Sequence, residues 1–460
     1  MITTEGKRLT KVVAEGTALF FGNTIIVKVG SFFSVLLLAR WLSVYSYGIL
    51  RLAQSAISSA GAFFFSGATS VLIAEGSRYR GEQEWGKLRA LLTRYALIEC
   101  AIGFLMAVGF LLAAWLAPVS VPLFWRYIFL SAAPLVVLGA IRMVATVVIQ
   151  IYLRLRWLTV LRTIESFGNL FVIVIIVFVL RTQEVATIFF LYGIVQVVAV
   201  GSLLPILYRL LKPLAAVVPA HDDVLPVLFR QSVWALLGDC TKNLTENARL
   251  WIIAAVLGVE ATALYSLADS LFGHTVSLFP LSQVLLPVVS GQTQDPERMR
   301  RVFVRSVKMS LCINVILFVC GMLIFPPLIR IAFPKYIPAL SIYAVMLFGL
   351  AFTAFGPTLN VYLTVYREQR ALWLASLVRS AVVLCGIWVC TNLFGIIGTG
   401  IEFLVSLVVF TGLRYAILRH RVPHIRVRIQ EFFSLDAFDK EIITAVYARL
   451  QTMLRRRTVS

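Results

Sequence analysis

Charge is scarce in this chain, and acid is scarcer still. Of 460 residues only 14% are charged, with 22 Asp and Glu against 42 Lys and Arg. A soluble domain carries about a quarter of its residues charged. Here 60% are hydrophobic and the mean hydropathy is +0.90. That composition excludes an ordinary soluble protein and points to a polytopic membrane protein. Cysteine is also sparse. Cys100, Cys240, Cys312, Cys320, Cys385 and Cys390 all sit in apolar stretches. Their spacing fits neither a metal site nor a secreted disulfide framework, and they read as structural thiols. His221, His274, His420 and His424 show no metal-ligand spacing. The sequence contains no G-x-x-x-x-G-K-[ST] loop, no H-E-x-x-H and no G-x-S-x-G, which removes ATP hydrolysis, zinc proteolysis and hydrolase chemistry. No catalytic residue, metal or cofactor is expected. A membrane glycosyltransferase would be expected to show carboxylates in an outward loop, and Glu260 alone does not supply them.

What the chain has in quantity is long apolar runs. Windows of about 20 apolar residues give twelve expected spans, at 17–39, 48–74, 92–116, 124–151, 159–180, 185–207, 231–258, 262–289, 306–325, 338–364, 372–393 and 396–418. Pro134, Pro280 and Pro357 fall inside spans and predict kinks or breaks. Met1–Lys11 is polar and basic, and no cleavable signal pattern is expected.

The basic residues set an expected orientation. Thirty-one of the 42 fall in one alternating set of loops and tails, six in the other and five within spans. The positive-inside rule then predicts cytoplasmic N- and C-termini. It also accounts for the net charge of +20 without nucleic acid, because the basic residues are spread over seven separate segments. The expected organisation is a cytoplasmic N-terminus (1–16), an N-lobe of six helices (17–207), a cytoplasmic linker (208–230), a C-lobe of six helices (231–418) and a basic cytoplasmic tail (419–460). Within the tail, Leu435–Leu454 reads as an amphipathic helix followed by Arg455–Arg457. That pattern suits anionic lipid headgroups or docking as a solvated helix.

One run of charge breaks the apolar pattern. Asp239, Lys242, Glu246 and Arg249 lie inside the seventh span. With Asn243 they fit within roughly 120° of one helix face. A charge at bilayer depth costs on the order of 2.5 kcal/mol or more, so the stripe must face protein or water. Two readings stand. The groups line a cavity, or they pair with one another at i, i+3 and i, i+4.

The halves repeat. At an offset of 215, Ala39–Ser55 aligns with Ala254–Ser270, matching Ala39 to Ala254, Leu42 to Leu257, Val44 to Val259, Leu52 to Leu267, Ala53 to Ala268 and Ser55 to Ser270. Six spans per half make this a parallel repeat. The same offset sets Lys28 opposite Asn243. Polar faces then recur on equivalent helices: Thr24, Lys28 and Ser31; Arg51, Gln54, Ser55 and Ser58; the Asp239–Arg249 stripe; and Ser266, Asp269, Ser270 and Ser277. They predict one hydrated cavity between two lobes. The alternative for Lys28 is pairing with Asp269. Glu99, Arg142, Arg379 and Glu402 lie outside this set and read as structural pairs.

Four stretches then carry a family resemblance. Ala39–Gly48 (ARWLSVYSYG) resembles the A-R-x-L-G-x-x-x-Y-G signature of bacterial polysaccharide flippases, with Ser43 where the relatives have glycine. Pro326–Ala339 resembles their loop between helices nine and ten. Leu363–Arg370 (LTVYREQR) resembles the turn after helix ten. Phe394–Gly400 (FGIIGTG) resembles the F-G-I-x-G start of the last helix. The resemblance implies the multidrug/oligosaccharidyl-lipid/polysaccharide exporter superfamily, in a cell (cytoplasmic) membrane. It implies two lobes rocking about a central cavity, and transfer of an isoprenoid-diphosphate-linked glycan between leaflets. Lys28, Arg51, Lys242 and Arg249 are then the expected substrate-binding cations. Gln54, Asp239, Asn243, Glu246 and Asp269 are the expected polar or ion-coupling groups, with a proton or sodium gradient as the driving force left open. The partners would be the lipid-linked glycan, membrane lipids through the tail, and a glycan polymerase or glycosyltransferases. A multidrug exporter of small cationic or amphipathic compounds in the same superfamily, or a non-transporting scaffold for glycan assembly, remain the alternatives.

Overall fold

The computed structural model describes residues 26–64, 69–116, 122–218, 224–277, 296–366 and 368–422, and these residues are helical with short connections. The helices are α1 (26–41), α2 (Val44–Gly61), α3 (Thr69–Gly81), α4 (Trp85–Leu116), α5 (Leu123–Ile151), α6 (Leu155–Val174), α7 (Val185–Ala215), α8 (Val224–Leu257) and α9 (Val259–Val276). They continue as α10 (Pro296–Ala332), α11 (Ala339–Leu347), α12 (Leu350–Thr353), α13 (Gly356–Val365), α14 (Gln369–Phe394) and α15 (Ile397–Arg421). The predicted N-terminus, the linker centre, the end of the eighth span with Pro280, and the amphipathic tail lie outside the described residues.

Among the described residues, seven helices are long and apolar enough to cross a membrane, or eight if the α11–α13 segment, bent by 42°, is one span. The other four expected spans correspond to α1, α2, α8 and α9. Only 16 residues of α1 are described, and the remaining three are diluted by the polar residues noted above. The helices that fail a simple apolarity test are therefore the ones whose polar faces need shelter. Elsewhere the surface is inverted relative to a soluble protein: Phe104, Leu323, Val179 and Trp115 are 68%, 69%, 72% and 79% exposed. Together with the fold described below, this makes the chain a multi-pass membrane protein.

Helices from each half pack mainly among themselves. In the first half α4 packs on α5, and both α5 and α6 pack on α7. In the second, α8 and α15 flank α14, while α9 and α15 flank α11. The halves meet where α2 runs against α8 and α9. The largest apolar core follows that seam, uniting Leu42, Leu50, Leu267, Leu271, Tyr336 and Tyr343.

Local chemistry explains several signature positions. Ser43, in the family's glycine position, caps α2: its Oγ accepts from the Ser46 amide at 3.0 Å, satisfying an orphan donor. Gly48 lies where α2 meets α9, and a Cβ there would overlap the Val259 carbonyl. Gly395, at φ +58°, makes the left-handed turn that separates α14 from α15. The structure also corrects boundaries. The second span does not run unbroken from 48 to 74, since α2 ends at Gly61 and α3 begins at Thr69. Pro326 and Pro327 do not open the loop after the ninth span. They lie inside α10, which continues to Ala332.

Candidate functional site

A cavity of about 760 Å³ opens within the first half. Its walls are α1, α2, α5, α6 and α7, with Asn243 of α8 reaching in from the second half. Three arginines face it: Arg51 on α2, Arg142 on α5 and Arg162 on α6. One carboxylate, Glu165, joins them. Arg142 Nη1 lies 3.0 Å from Glu165 Oε1, and the two side chains are 39% and 16% exposed, so the pair is reached by solvent.

The arginines are positioned by their helices. Arg51 donates from Nη1 to Gln54 Oε1 at 3.0 Å and from Nη2 to Ser270 Oγ of α9 at 3.4 Å. Its Nε is buried without a partner. An orphan guanidinium donor beside a cavity is costly unless a ligand or water accepts from it. Ser166 donates to the Val27 carbonyl at 3.1 Å, fixing α6 against α1. Asn169 Oδ1 is likewise buried and unpartnered. Neutral hydrogen-bonding groups such as Ser31, Ser58 and Gln196 complete the polar surface. The site can therefore bind an anion through guanidiniums and hydroxyl groups through amides and alcohols.

The expected cavity residues separate into two sets. Arg51, Gln54 and Asn243 line this cavity. Lys28, Lys242, Arg249, Asp239, Glu246 and Asp269 are not among its lining residues. Lys28 is half-buried on α1, and with Arg51 it acts electrostatically on His274 of α9. Lys242 and Asp239 are exposed on α8. Asp269 interacts electrostatically with Glu246, Arg249 and Arg51. No salt bridge joins Lys28 to Asp269 among the described residues.

Arg249 belongs to a different environment. Its side chain is 1% exposed, as is that of Glu402 on α15. Arg249 Nε lies 3.0 Å from Glu402 Oε2, and Nη2 donates to Glu402 Oε1 at 3.2 Å. Nη1 donates to Glu246 Oε2 and to the Tyr265 hydroxyl, each at 3.0 Å. Arg379 on α14 completes the group, with Nη2 2.6 Å from Glu246 Oε1. Two cations thus meet two carboxylates among α8, α14 and α15.

Sequence reasoning missed Arg142, Arg162 and Glu165 as cavity groups. Arg162 sits in the second turn of α6, close enough to the Arg154–Arg156 loop to be grouped with it. Arg142 and Glu165 are 23 residues apart on different helices, so no periodicity connects them. One signal was present: an arginine deep in an apolar span, as Arg142 is, needs a partner.

The halves also close on each other at one end. Lys335 Nζ donates to the Arg40 carbonyl at 3.0 Å and to the Leu42 carbonyl. The Tyr47 and Tyr336 rings meet edge to face at 6.0 Å. Two stretches that carried the family resemblance, Ala39–Gly48 and Phe333–Ala339, therefore form one contact.

This arrangement is the fold of the multidrug/oligosaccharidyl-lipid/polysaccharide exporter superfamily. An inward-facing multidrug resistance MATE family transporter of the MOP superfamily matches with a TM-score of 0.68 at 13% identity, over 86% of this chain and 95% of that one. The lipid II flippase MurJ, in an inward closed conformation, matches with a TM-score of 0.70 at 11% identity, over 94% and 92%. An outward-facing MATE transporter gives 0.64 at 15% identity, over 89% and 96%. The chain belongs to the polysaccharide biosynthesis protein family, whose sequence profile matches residues 37–336. Family and structural neighbours alike are transporters and flippases, not enzymes. No curated protein matches by sequence comparison.

Proposed function

We propose that this protein turns isoprenoid-diphosphate-linked glycan units from the cytoplasmic to the outer leaflet of the cytoplasmic membrane. The observation that carries the reading is the meeting of Arg51, Arg142 and Arg162 in one cavity. Arginine forks match phosphate oxygens in bidentate geometry. The cargo head is too polar to cross lipid unaided, while its polyprenyl tail can stay in lipid. Membership of a polysaccharide biosynthesis family supports the same cargo class.

The topology that goes with this reading has twelve spans in two six-helix lobes, 17–207 and 231–418, with both termini cytoplasmic. The skew of basic residues supports it. On that orientation the end sealed by Lys335, Tyr336 and Gly48 faces outward, and the protein is in an inward-facing state. Alternating access then requires this seal to part while the opposite end closes. Lys28 and Asp269 flank the seam between the halves and would move with it. A proton or sodium gradient is the proposed source of direction, with Asp269 as the coupling group. The basic tail would meet anionic lipid, and a polymerase or glycosyltransferases would act on either side of the transfer.

An exporter of small cations would need an acidic cavity, which the arginine lining opposes. The test is leaflet-resolved labelling of the lipid-linked glycan in cells lacking the protein, complemented by wild type or by Arg51→Ala. Accumulation on the cytoplasmic face, cleared by wild type and not by the variant, supports the reading. Unchanged leaflet distribution on deletion rejects it.

A further inference from the structure

We propose a second anion site, in the second half of the molecule, where Arg379 of α14 and Arg414 of α15 meet at Phe410 and take a phosphate group. The proposal does not depend on what the first-half cavity carries. The guanidinium carbon of Arg414 lies 3.7 Å from the Phe410 ring centroid, and that of Arg379 lies 5.1 Å from it. Each is a cation–π contact, so one ring holds two like charges as neighbours. Arg379 acts on Arg414 as a like charge.

The ring attracts both cations but offers no hydrogen-bond acceptor. Arg379 Nη2 is taken by Glu246 at 2.6 Å. Arg379 Nε and Arg414 Nε are each buried without a partner. Unmet guanidinium donors away from water are costly, and neighbouring like charges add to the cost. One tetrahedral anion between them can accept from both Nε atoms and offset the repulsion. Phosphate, with several oxygens in different directions, suits two arginines approaching from two helices.

The depth of the pair fits that ligand. Arg414 lies seven residues before the end of α15 at Arg421, and Arg379 lies ten after the start of α14 at Gln369. At 1.5 Å per residue they sit about 10 Å and about 15 Å inside the same end of this helix pair. Nearer that end, Trp373 of α14 packs on Trp234 of α8 at 5.1 Å, and Arg370 lies 5.5 Å from the Trp234 ring. Tryptophan rings near helix ends mark the membrane–water interface. Glu246, which holds Arg379, is 36% exposed, so water and a small anion reach the pair. Two sources bring phosphate to this level: the headgroup of an anionic lipid and soluble phosphate.

Full-length protein in nanodiscs of zwitterionic lipid is melted with two probes, phosphatidylglycerol added to the disc and inorganic phosphate added to the buffer against chloride at equal ionic strength. A ligand of the folded state should raise the wild-type melting point. A rise with phosphatidylglycerol alone assigns the site to a lipid headgroup, and a rise with inorganic phosphate assigns it to a soluble anion. Arg414→Gln should melt at or above wild type in zwitterionic lipid, because a like charge is gone. It should need about ten-fold or more of the same probe for the same rise. Arg414→Lys keeps the charge without the fork and should fall between the two. Arg142→Gln, in the first-half cavity, should respond as wild type does. No rise with either probe overturns the proposal, as does a response of Arg414→Gln or Arg414→Lys equal to wild type. A loss at Arg142→Gln as large as that at Arg414→Gln also overturns it, by placing the anion in the first-half cavity. An Arg414→Gln protein that melts well below wild type without probe shows that Arg414 is already satisfied, and overturns it too.

Discussion

Two clusters of arginine and glutamate lie within this helical fold, and they differ in what surrounds them. In the first half, Arg142 and Glu165 are 39% and 16% exposed and share a cavity with two further arginines. In the second half, Arg249 and Glu402 are each 1% exposed, and Glu246 and Arg379 close the group. The first cluster presents three guanidiniums and one carboxylate to a cavity, and Arg51 Nε there has no hydrogen-bond partner. The second sets two guanidiniums against two carboxylates, with Arg379 Nε likewise buried without a hydrogen-bond partner. A buried ion pair that joins two helices, as Arg249 and Glu402 do, is structural. A solvent-reached pair, as Arg142 and Glu165 form, is available to a ligand.

The sharpest way to break this contrast is to remove one member from each cluster. Arg249→Ala strands the Glu402 carboxylate, which is 1% exposed, while Glu246, 36% exposed, keeps Arg379 as its partner. Losing one partner of a buried pair costs about 3–5 kcal/mol. The variant should therefore melt far below wild type in detergent and be recovered in low yield. Arg142→Ala removes a solvent-reached group and should melt close to wild type, yet fail to restore glycan transfer. A stable but inactive Arg249→Ala would move that residue into the transport site and collapse the distinction.

A smaller effect is expected at Arg51. Loss of a charged hydrogen bond to an anion is worth about 1.5–3 kcal/mol, so Arg51→Ala should weaken binding of an isoprenoid-diphosphate probe on the order of ten-fold or more. Arg51→Lys should recover only part of it, because a point charge replaces a fork. Full binding by Arg51→Ala would show that the orphan Nε is not a ligand contact.

Gly48→Ala tests the seam between the clusters. The added methyl would overlap the Val259 carbonyl, so α2 and α9 must separate. Cysteine labelling at the sealed end should speed up by a few-fold, with little change in melting. Unchanged labelling would mean that the seam relaxes without opening.

How far the sequence could reach follows from the same contrast. Helical class and most spans were legible because lipid requires long apolar runs, and α4 to α7 supply them. The Asp239–Arg249 stripe was legible as a face, and its partial self-pairing appears in the Glu246–Arg249 contact. Its partners were not. Glu402 lies 153 residues from Arg249 and Arg379 lies 133 from Glu246, and only folding joins them. For the same reason the repeat pointed to a cavity shared by both halves, whereas the cavity is walled almost wholly by the first. A constant offset places helices in equivalent positions but does not say which polar face opens to water. The break between α2 and α3 was hidden because Gly61–Ser66 keeps the composition of a span.

The smallest expected change in stability comes from removing whole pairs. Arg249→Leu with Glu402→Leu deletes one cation and one anion and leaves Glu246 bound to Arg379 at 2.6 Å. Buried ion pairs replaced by apolar groups of similar volume are often neutral or stabilising. The double variant should melt near wild type, well above either single change, and retain transfer. Arg142→Leu with Glu165→Leu is the same operation on the cavity. It should also melt near wild type, since no charge is stranded, but it should abolish transfer because one of three phosphate-facing guanidiniums is gone. Melting curves and leaflet labelling on the two double variants therefore separate a charge cluster that holds helices together from one that holds cargo. If both double variants transport, the cavity arginines are not the cargo site. If neither does, the buried cluster takes part in the transport cycle.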